Sequence, residues 1–171
     1  MQIRLAKAND IENLERLINH AYRGQHVQSW TTEHGIVDGQ RINQQQLLHL
    51  INTDNFQLFV MLNNAEQIVG CIGAEFTGNT CDIGTFAIDP AWQGGGLGRQ
   101  LLEYAEKQAI VLKPNLTQFG MYVIDVRLEL IQFYQRCGYQ NIQQPENYPV
   151  GQGFGEPLTQ LELIRLVKNI H

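Results

Sequence analysis

Basic residues are in short supply: 12 Lys and Arg against 17 Asp and Glu, a formal net charge of −5. Nonspecific nucleic-acid binding needs a basic surface to displace counterions, so that class is disfavoured. The acidic balance favours neutral or cationic small molecules over polyanions. Cysteine is scarce and odd in number. Cys71, Cys81 and Cys137 have no C-x-x-C spacing, which gives neither a disulfide framework nor a zinc signature and suggests a reducing compartment. His20, His26, His34, His49 and His171 show no H-E-x-x-H or similar spacing, so no metal is expected. Long apolar runs are missing too. Nothing approaches the roughly 20 apolar residues that span a bilayer, and Met1-Gln2-Ile3-Arg4-Leu5 does not open a signal peptide. The expectation is a cytoplasmic protein with no membrane partner.

What is present is a chain of 171 residues, 43% hydrophobic and 17% charged, without repeats or low-complexity tracts. That length suits one domain over residues 1–171 with a substantial core. Gln2 to Ala6 alternates as a strand, and Asn9 with Glu12 suggests a capping box for a helix carrying Leu14, Leu17, Ile18 and Ala21. Gln25 to Arg41 has no clear period, and Asn43 to Asn52 returns to helix. Strand-like runs over 56–62, 67–76 and 81–88 are punctuated by Asn63-Asn64 and Gly78-Asn79, so antiparallel hairpins are expected. Beyond Asp89-Pro90, a helix runs toward Pro114, a strand covers 119–126, a helix covers 128–137, and a last strand covers 158–167. The order β-α-α-β-β-β-α-β-α-β-β is an α+β pattern. The C-terminal strand, read as an exposed edge, would support a homodimer.

The segment Gln93-Gly94-Gly95-Gly96-Leu97-Gly98 follows a strand and opens an amphipathic helix. A helix mouth offers free N–H groups and the positive end of the dipole, and glycines let a phosphate approach the backbone closely. Arg99 adds a cation where the dipole alone disfavours one, and a phosphate partner would account for it. The turn is not a Walker A loop, because Gly98 is followed by Arg99-Gln100 rather than Lys-Ser/Thr. It is not a dinucleotide fingerprint either, because Arg99 stands where G-x-G-x-x-G needs its third glycine. A flexible glycine loop without a ligand is the plain alternative.

The turn and its flanks closely resemble the GNAT superfamily of acetyltransferases. Gln93, Gly96 and Gly98 match that family's Gln/Arg-x-x-Gly-x-Gly/Ala motif, and Phe86-Ala87-Ile88-Asp89-Pro90 looks like the strand end that precedes it. About thirty residues on, Leu130 to Tyr139, with Phe133-Tyr134 and Gly138, looks like the family's second motif, A-x-x-F-Y-x-x-x-G-F. There are departures: Arg127 stands where many members carry Asn, and Leu130 replaces the Ala.

The resemblance implies a mixed, mostly antiparallel sheet of six to seven strands flanked by four to five helices. It implies acetyl-CoA as co-substrate, with the pantetheine arm along Phe86, Ala87 and Ile88 and one N–H there polarising the thioester. Amides from Gly94, Gly95, Gly96, Leu97 and Gly98 would take the pyrophosphate, with Arg99 and Phe133 alongside. Tyr134 would be the acid for the departing thiolate, or simply a packing residue. Asp82 falls where several members carry a Glu and is a candidate base, and Glu75 flanks the acceptor side; both could equally be solvent-facing strand residues. The 30–41 segment would wall the acceptor, with Trp30 as an aromatic surface, Glu33 pairing with an amine and Arg41 with a carboxylate. An ordered loop held by Trp30 packing and an internal Glu33–Arg41 or Asp38–Arg41 pair is the competing reading. The expected activity is acetyl transfer to a primary amine of a small molecule or peptide by direct attack. A non-catalytic acyl-CoA-binding sensor or interaction domain is the alternative.

Overall fold

The structure is a computed structural model that describes residues 1–24 and 29–170. Residues 25–28, the start of the segment without a clear period (including His26), and His171 lie outside the described residues. Strand β1 covers Gln2–Leu5, helix α1 Ile11–Arg23, the short strand β2 Val37–Asp38 and helix α2 Gln44–Ile51. Strands β3 (Phe56–Leu62), β4 (Ile68–Thr77) and β5 (Thr80–Ile88) follow, then helix α3 (Leu97–Leu112). Strand β6 (Gln118–Ile124), helix α4 (Leu128–Arg136), β7 (Gln140–Asn147), the short β8 (Glu156–Pro157) and β9 (Glu162–Asn169) complete the chain.

The sequence expectation of α+β with consecutive antiparallel hairpins holds. A seven-stranded sheet runs β1-β3-β4-β5-β6-β9-β7, antiparallel except for β5 against β6. Its two faces are covered separately. Ile11, Leu14, Leu17 and Ile18 of α1, with Leu47 of α2, pack on Leu58, Val60, Cys71 and Ala87. Leu101, Leu102, Ala105 and Ala109 of α3, with Tyr134 of α4, pack on Phe59, Met61, Ile72 and Phe86. These are the apolar positions at helical spacing in the sequence, because one stripe of each helix must leave water.

Two expectations are corrected. Asn9 does not cap α1: Ala8–Asp10 forms a single 3₁₀ turn, and Asp10 takes the Lys7 N–H at 2.7 Å and pairs with Arg4 at 2.7 Å. The N-cap position of α1 falls on Asp10, whose carboxylate is committed to Lys7 and Arg4, so no side chain caps the helix; Arg4 holds the Asp10 carboxyl below its usual range. The C-terminal strand is not an edge either, because β9 lies between β6 and β7. The edges are β1 and β7, the latter blunted by Pro145 and by a register irregularity between Asn141 and Pro145.

The break that positions the site lies at the one parallel pair. β5 and β6 pair only from Thr80–Gln118 to Asp82–Gly120, leaving the two strands unpaired beyond. At the same level, the β4–β5 register shifts between Cys71–Ala87 and Gly73–Gly84, so Ile72 faces both Thr85 and Phe86. Thr85 has φ 45, a left-handed value unusual for a β-branched residue and a mark of a strained bulge. The extra residue resets the alternation: Cys81 and Ile83 face α3, and beyond the bulge so do Phe86 and Ile88.

Candidate active site

The glycine-rich turn crosses from β5 to α3. Gly94 and Gly96 have φ 85 and 76, a region an L side chain enters at a cost of about 1–2 kcal/mol. Gly96 is the N-cap of α3 in this conformation. A Cβ on Gly94, Gly95 or Gly96 would meet nothing within 4 Å, so the turn faces open space. From Gly94 to Arg99 no main-chain N–H bonds to a described residue; the first helical bond is Gln100 N–H to the Gly96 carbonyl at 3.0 Å. The result is six consecutive donors at the positive end of a 16-residue helix.

These donors border a cavity of about 220 Å³ whose walls include Ile88, Leu97, Gly98, Phe133 and Trp30. A second cavity, of about 230 Å³, is lined by Ile83–Phe86 of β5 and Met121–Ile124 of β6. Residues of both parities from both strands line it, so it passes between the splayed strands rather than along one face. Thr31, Phe86, Leu130 and Tyr134 line both cavities. Tyr134 is buried among the rings of Phe86, Phe133 and Tyr139, at centroid distances of 6.3, 5.2 and 6.1 Å. Its hydroxyl bonds to no described residue. Burial pushes the phenol well above its ordinary value, so it stays protonated and is chemically an acid.

A short segment, Ser29 to Glu33, forms the wall between the two cavities and is tied from several sides. Gln93 takes the Trp30 N–H at 2.8 Å and donates to the Ile88 carbonyl at 2.8 Å and to Ser29 Oγ at 3.1 Å. Its side chain is therefore an anchor for the wall, and the phosphate-facing donors are left to the main chain. Arg127, 8% exposed, donates to the Trp30 and Thr32 carbonyls. Glu33 is buried and paired with Arg23, which also donates to the Gly39 and Phe154 carbonyls at 2.8 Å each. Tyr22 reaches across from α1 to donate to the Phe86 carbonyl at 2.9 Å, and burial pushes its phenol up to about 12.

The sequence candidates divide accordingly. Phe86, Ile88, Gln93, Gly94, Gly96, Leu97, Gly98, Arg99, Phe133 and Tyr134 gather on the first cavity. Arg99 sits at its rim, donating to the Arg136 carbonyl at 2.9 Å and facing Glu103 at 3.5 Å. Gly95 belongs to the turn, and Ala87 pairs with Cys71 and faces α1 instead of the cavity. Glu33 and Arg41 line the second cavity with Tyr134. Trp30, expected at the acceptor, instead lies 51% exposed over the glycine turn and lines only the first of these two. Asp82 is ion-paired with Arg165 at 2.6 Å and lines neither; Glu75, its register partner on β4, is exposed and lines neither. Neither internal pair proposed for the loop forms: Glu33 takes Arg23, and Arg41 lies over the Tyr22 and Phe154 rings.

Sequence reasoning missed Tyr22, Tyr148 and Phe154, which also line the second cavity. Tyr22 reads as one more apolar position at helical spacing, and the other two belong to a stretch without periodicity. The bulge did leave a signal, since the strict alternation of Cys81-Asp82-Ile83 breaks at Gly84-Thr85. The three cysteines are free and line neither cavity. Among the described residues no cluster of three His, Cys, Asp or Glu is placed to hold a metal, and no helix is long and apolar enough to cross a membrane.

Known proteins share this fold. The chain is 31% identical over 91 residues to the uncharacterised protein YxbD of Bacillus subtilis (strain 168), a match covering 53% of this chain and 55% of that protein. The chain thus matches about half the length of this curated relative. The ribosomal-protein-S18-alanine N-acetyltransferase of Escherichia coli superposes with a TM-score of 0.71 at 15% identity, over 99% of this chain and 93% of that one. A chimera of the Vibrio cholerae spermidine N-acetyltransferase superposes with a TM-score of 0.69 at 14% identity, over 99% and 96%. The two enzymes are named for very different acceptors, so the likeness speaks to the fold alone. The family model for the acetyltransferase (GNAT) domain matches residues 54–141, from the hairpins through the glycine turn and Tyr134 to the start of β7, and the chain belongs to that acetyltransferase family.

Proposed function

We propose that this protein is an acetyl-CoA-dependent N-acetyltransferase that acts on a primary amine of a small molecule or peptide, with both substrates bound together. One observation carries the reading. Six unpaired main-chain donors border a cavity that meets a second cavity at Tyr134. The donor row suits a pyrophosphate, and the first cavity suits an extended arm laid along Phe86 and Ile88. The acyl group would then sit at the junction.

The remaining roles follow from what each side chain can do. The amine nitrogen forms the new C–N bond as the C–S bond breaks, and the Tyr134 hydroxyl delivers its proton to the leaving sulfur. A phenol near ~10 giving a proton to a thiolate near ~8.5 is uphill by roughly 2 kcal/mol in water; burial raises the Tyr134 phenol and desolvation raises the sulfur, so the two shifts oppose each other. Glu33 is the carboxylate on the acceptor cavity. Arg23 engages its Oε2, leaving Oε1 to take up the amine's proton through water. Asp82, held by Arg165, takes no part in this chemistry. Attack is direct, because no cysteine lies at the junction to carry the acyl group.

Thermal shift with acetyl-CoA, CoA, ATP and NAD, followed by free-thiol release with an amine library, tests the proposal. Stabilisation by acetyl-CoA and CoA, with thiol release in the presence of an amine, is the expected result. Stabilisation by ATP or NAD alone would overturn it. Stabilisation by acetyl-CoA with no thiol release from any amine would instead favour a non-catalytic binding domain.

A further inference from the structure

The acceptor cavity carries three charged side chains, and they are not equivalent. Arg127 is engaged by two main-chain carbonyls of the wall, and Glu33 by Arg23. Arg41 stands 5.2 Å from the centroid of the Tyr22 ring and 5.2 Å from that of Phe154, and its guanidinium makes no hydrogen bond or ion pair with any described residue. Two aromatic faces stabilise the positive charge but supply no acceptor for its five N–H donors. The guanidinium nitrogens are not fully buried, so an anion entering from solvent can reach them and take the place of water.

The placement fixes where that anion would lie. Arg41 packs on the Tyr22 ring, and the Tyr22 hydroxyl bonds the Phe86 carbonyl at the junction of the two cavities. Arg41 therefore sits one phenol ring and one hydrogen bond from the reacting end. Glu33 Oε1 is unengaged in the same cavity, and Tyr148 and Phe154 supply an apolar wall. The same cavity thus holds a carboxylate oxygen and a guanidinium that have no partner among the described residues.

We infer that the acceptor is a zwitterionic amine whose carboxylate is bound by Arg41 while its amine faces Glu33 and Tyr134. This deepens the proposed acetyl transfer and rests on it. Amino acids, ω-amino acids and short peptides carry both groups. A polyamine would bring a second cation against an uncompensated guanidinium and is selected against. The whole chain's acidic balance favours cations, but the charge that an acceptor meets inside this cavity is Arg41.

Matched acceptor pairs test this: amino acids and dipeptides against their C-terminal amides and decarboxylated amines, with spermidine as a polyamine control, read by free-thiol release from acetyl-CoA. The carboxylate member of a productive pair is expected to exceed its partner in kcat/KM by about 10- to 100-fold, the size of a charge-assisted hydrogen bond. In Arg41→Gln that advantage collapses, and in Arg41→Lys, which keeps the charge but loses the planar fork, part of it survives. Calorimetry with CoA and the N-acetylated product should show binding to the wild type that is lost in Arg41→Gln, the variant's melting temperature reporting that it folds. Amides or spermidine turning over as well as the acids would overturn the inference while leaving acetyl transfer intact, as would an undiminished preference in folded Arg41→Gln. No thiol release from either member of any pair would remove the acetyl-transfer reading, and this inference with it.

Discussion

The Tyr22 hydroxyl on α1 donates a 2.9 Å hydrogen bond to the carbonyl of Phe86 on β5. That contact fastens the helix bearing one wall of the acceptor cavity to the strand beside the bulge. Tyr22→Phe leaves a buried carbonyl without its donor, which costs about 1–3 kcal/mol. The expected result is a melting temperature lower by several degrees, together with a raised acceptor KM, because the ring beneath Arg41 loses its anchor. A variant with unchanged stability and KM would show the contact to be idle.

Tyr134 is placed to give a proton to the leaving sulfur, and burial keeps the resting phenol protonated. Tyr134→Phe should lower kcat by about 10²- to 10⁴-fold while the Kd for acetyl-CoA and the melting temperature stay close to wild type. Because burial holds this phenol well above its ordinary value, an alkaline fall in kcat below pH 10 would have to come from another group. Equal turnover of the two proteins would remove the acid role.

Gly96 adopts φ 76 as the N-cap of α3, directly under the free donors. An alanine there pays about 1–2 kcal/mol or forces the turn into another shape that re-aims the donors. Gly96→Ala is predicted to weaken acetyl-CoA binding by about tenfold or more, measured by calorimetry, with kcat reduced less than kcat/KM. The strain arises from φ and not from crowding, since its Cβ would meet nothing within 4 Å.

Away from the site, Glu106 on α3 is buried and accepts from Tyr139 at 2.8 Å and Lys168 at 2.7 Å. Glu106→Ala deletes the shared acceptor of two groups on different elements. A loss of about 2–4 kcal/mol in denaturant unfolding is expected, with KM for acetyl-CoA unchanged. The network joins α3 to α4's C-terminal end and to β9, so its effect should appear in stability alone.

Burial raises Tyr22, Cys71 and Cys81 to about 12, from 10.0 for the phenol and 9.0 for the thiols. Each is neutral when protonated, so the unfolded chain releases these protons first as pH rises. The stability they contribute is complete below about pH 9 and is lost progressively up to about pH 12. Denaturant titrations across that range should show the decline. In the native state at neutral pH, Ellman's reagent should leave Cys71 and Cys81 unlabelled, so that the partly exposed Cys137 is the protein thiol to subtract in a thiol-release assay.

Local patterns and tertiary facts can be separated residue by residue. The stripes of α1 and α3, the hairpins through Asn63-Asn64 and Gly78-Asn79, and the turn from Gln93 to Gly98 are all written in near-neighbour spacing. Periodicity, caps and left-handed glycines act within a few residues, so one sequence carries them. The roles of Gln93 and Arg127 were not legible that way. Each anchors the Ser29–Glu33 wall across more than sixty positions.

The chain's own order of residues determined its fold family and the helix mouth with its row of donors, because both follow from rules that operate along the backbone. Tertiary structure alone decided that β5 and β6 part beyond Asp82, that Asp82 is captured by Arg165, and that Arg41 is left with two aromatic faces and no anion among the described residues. Those outcomes depend on which charges meet across the sheet, and a guanidinium finds its carboxylate by proximity in space, whatever their separation in sequence.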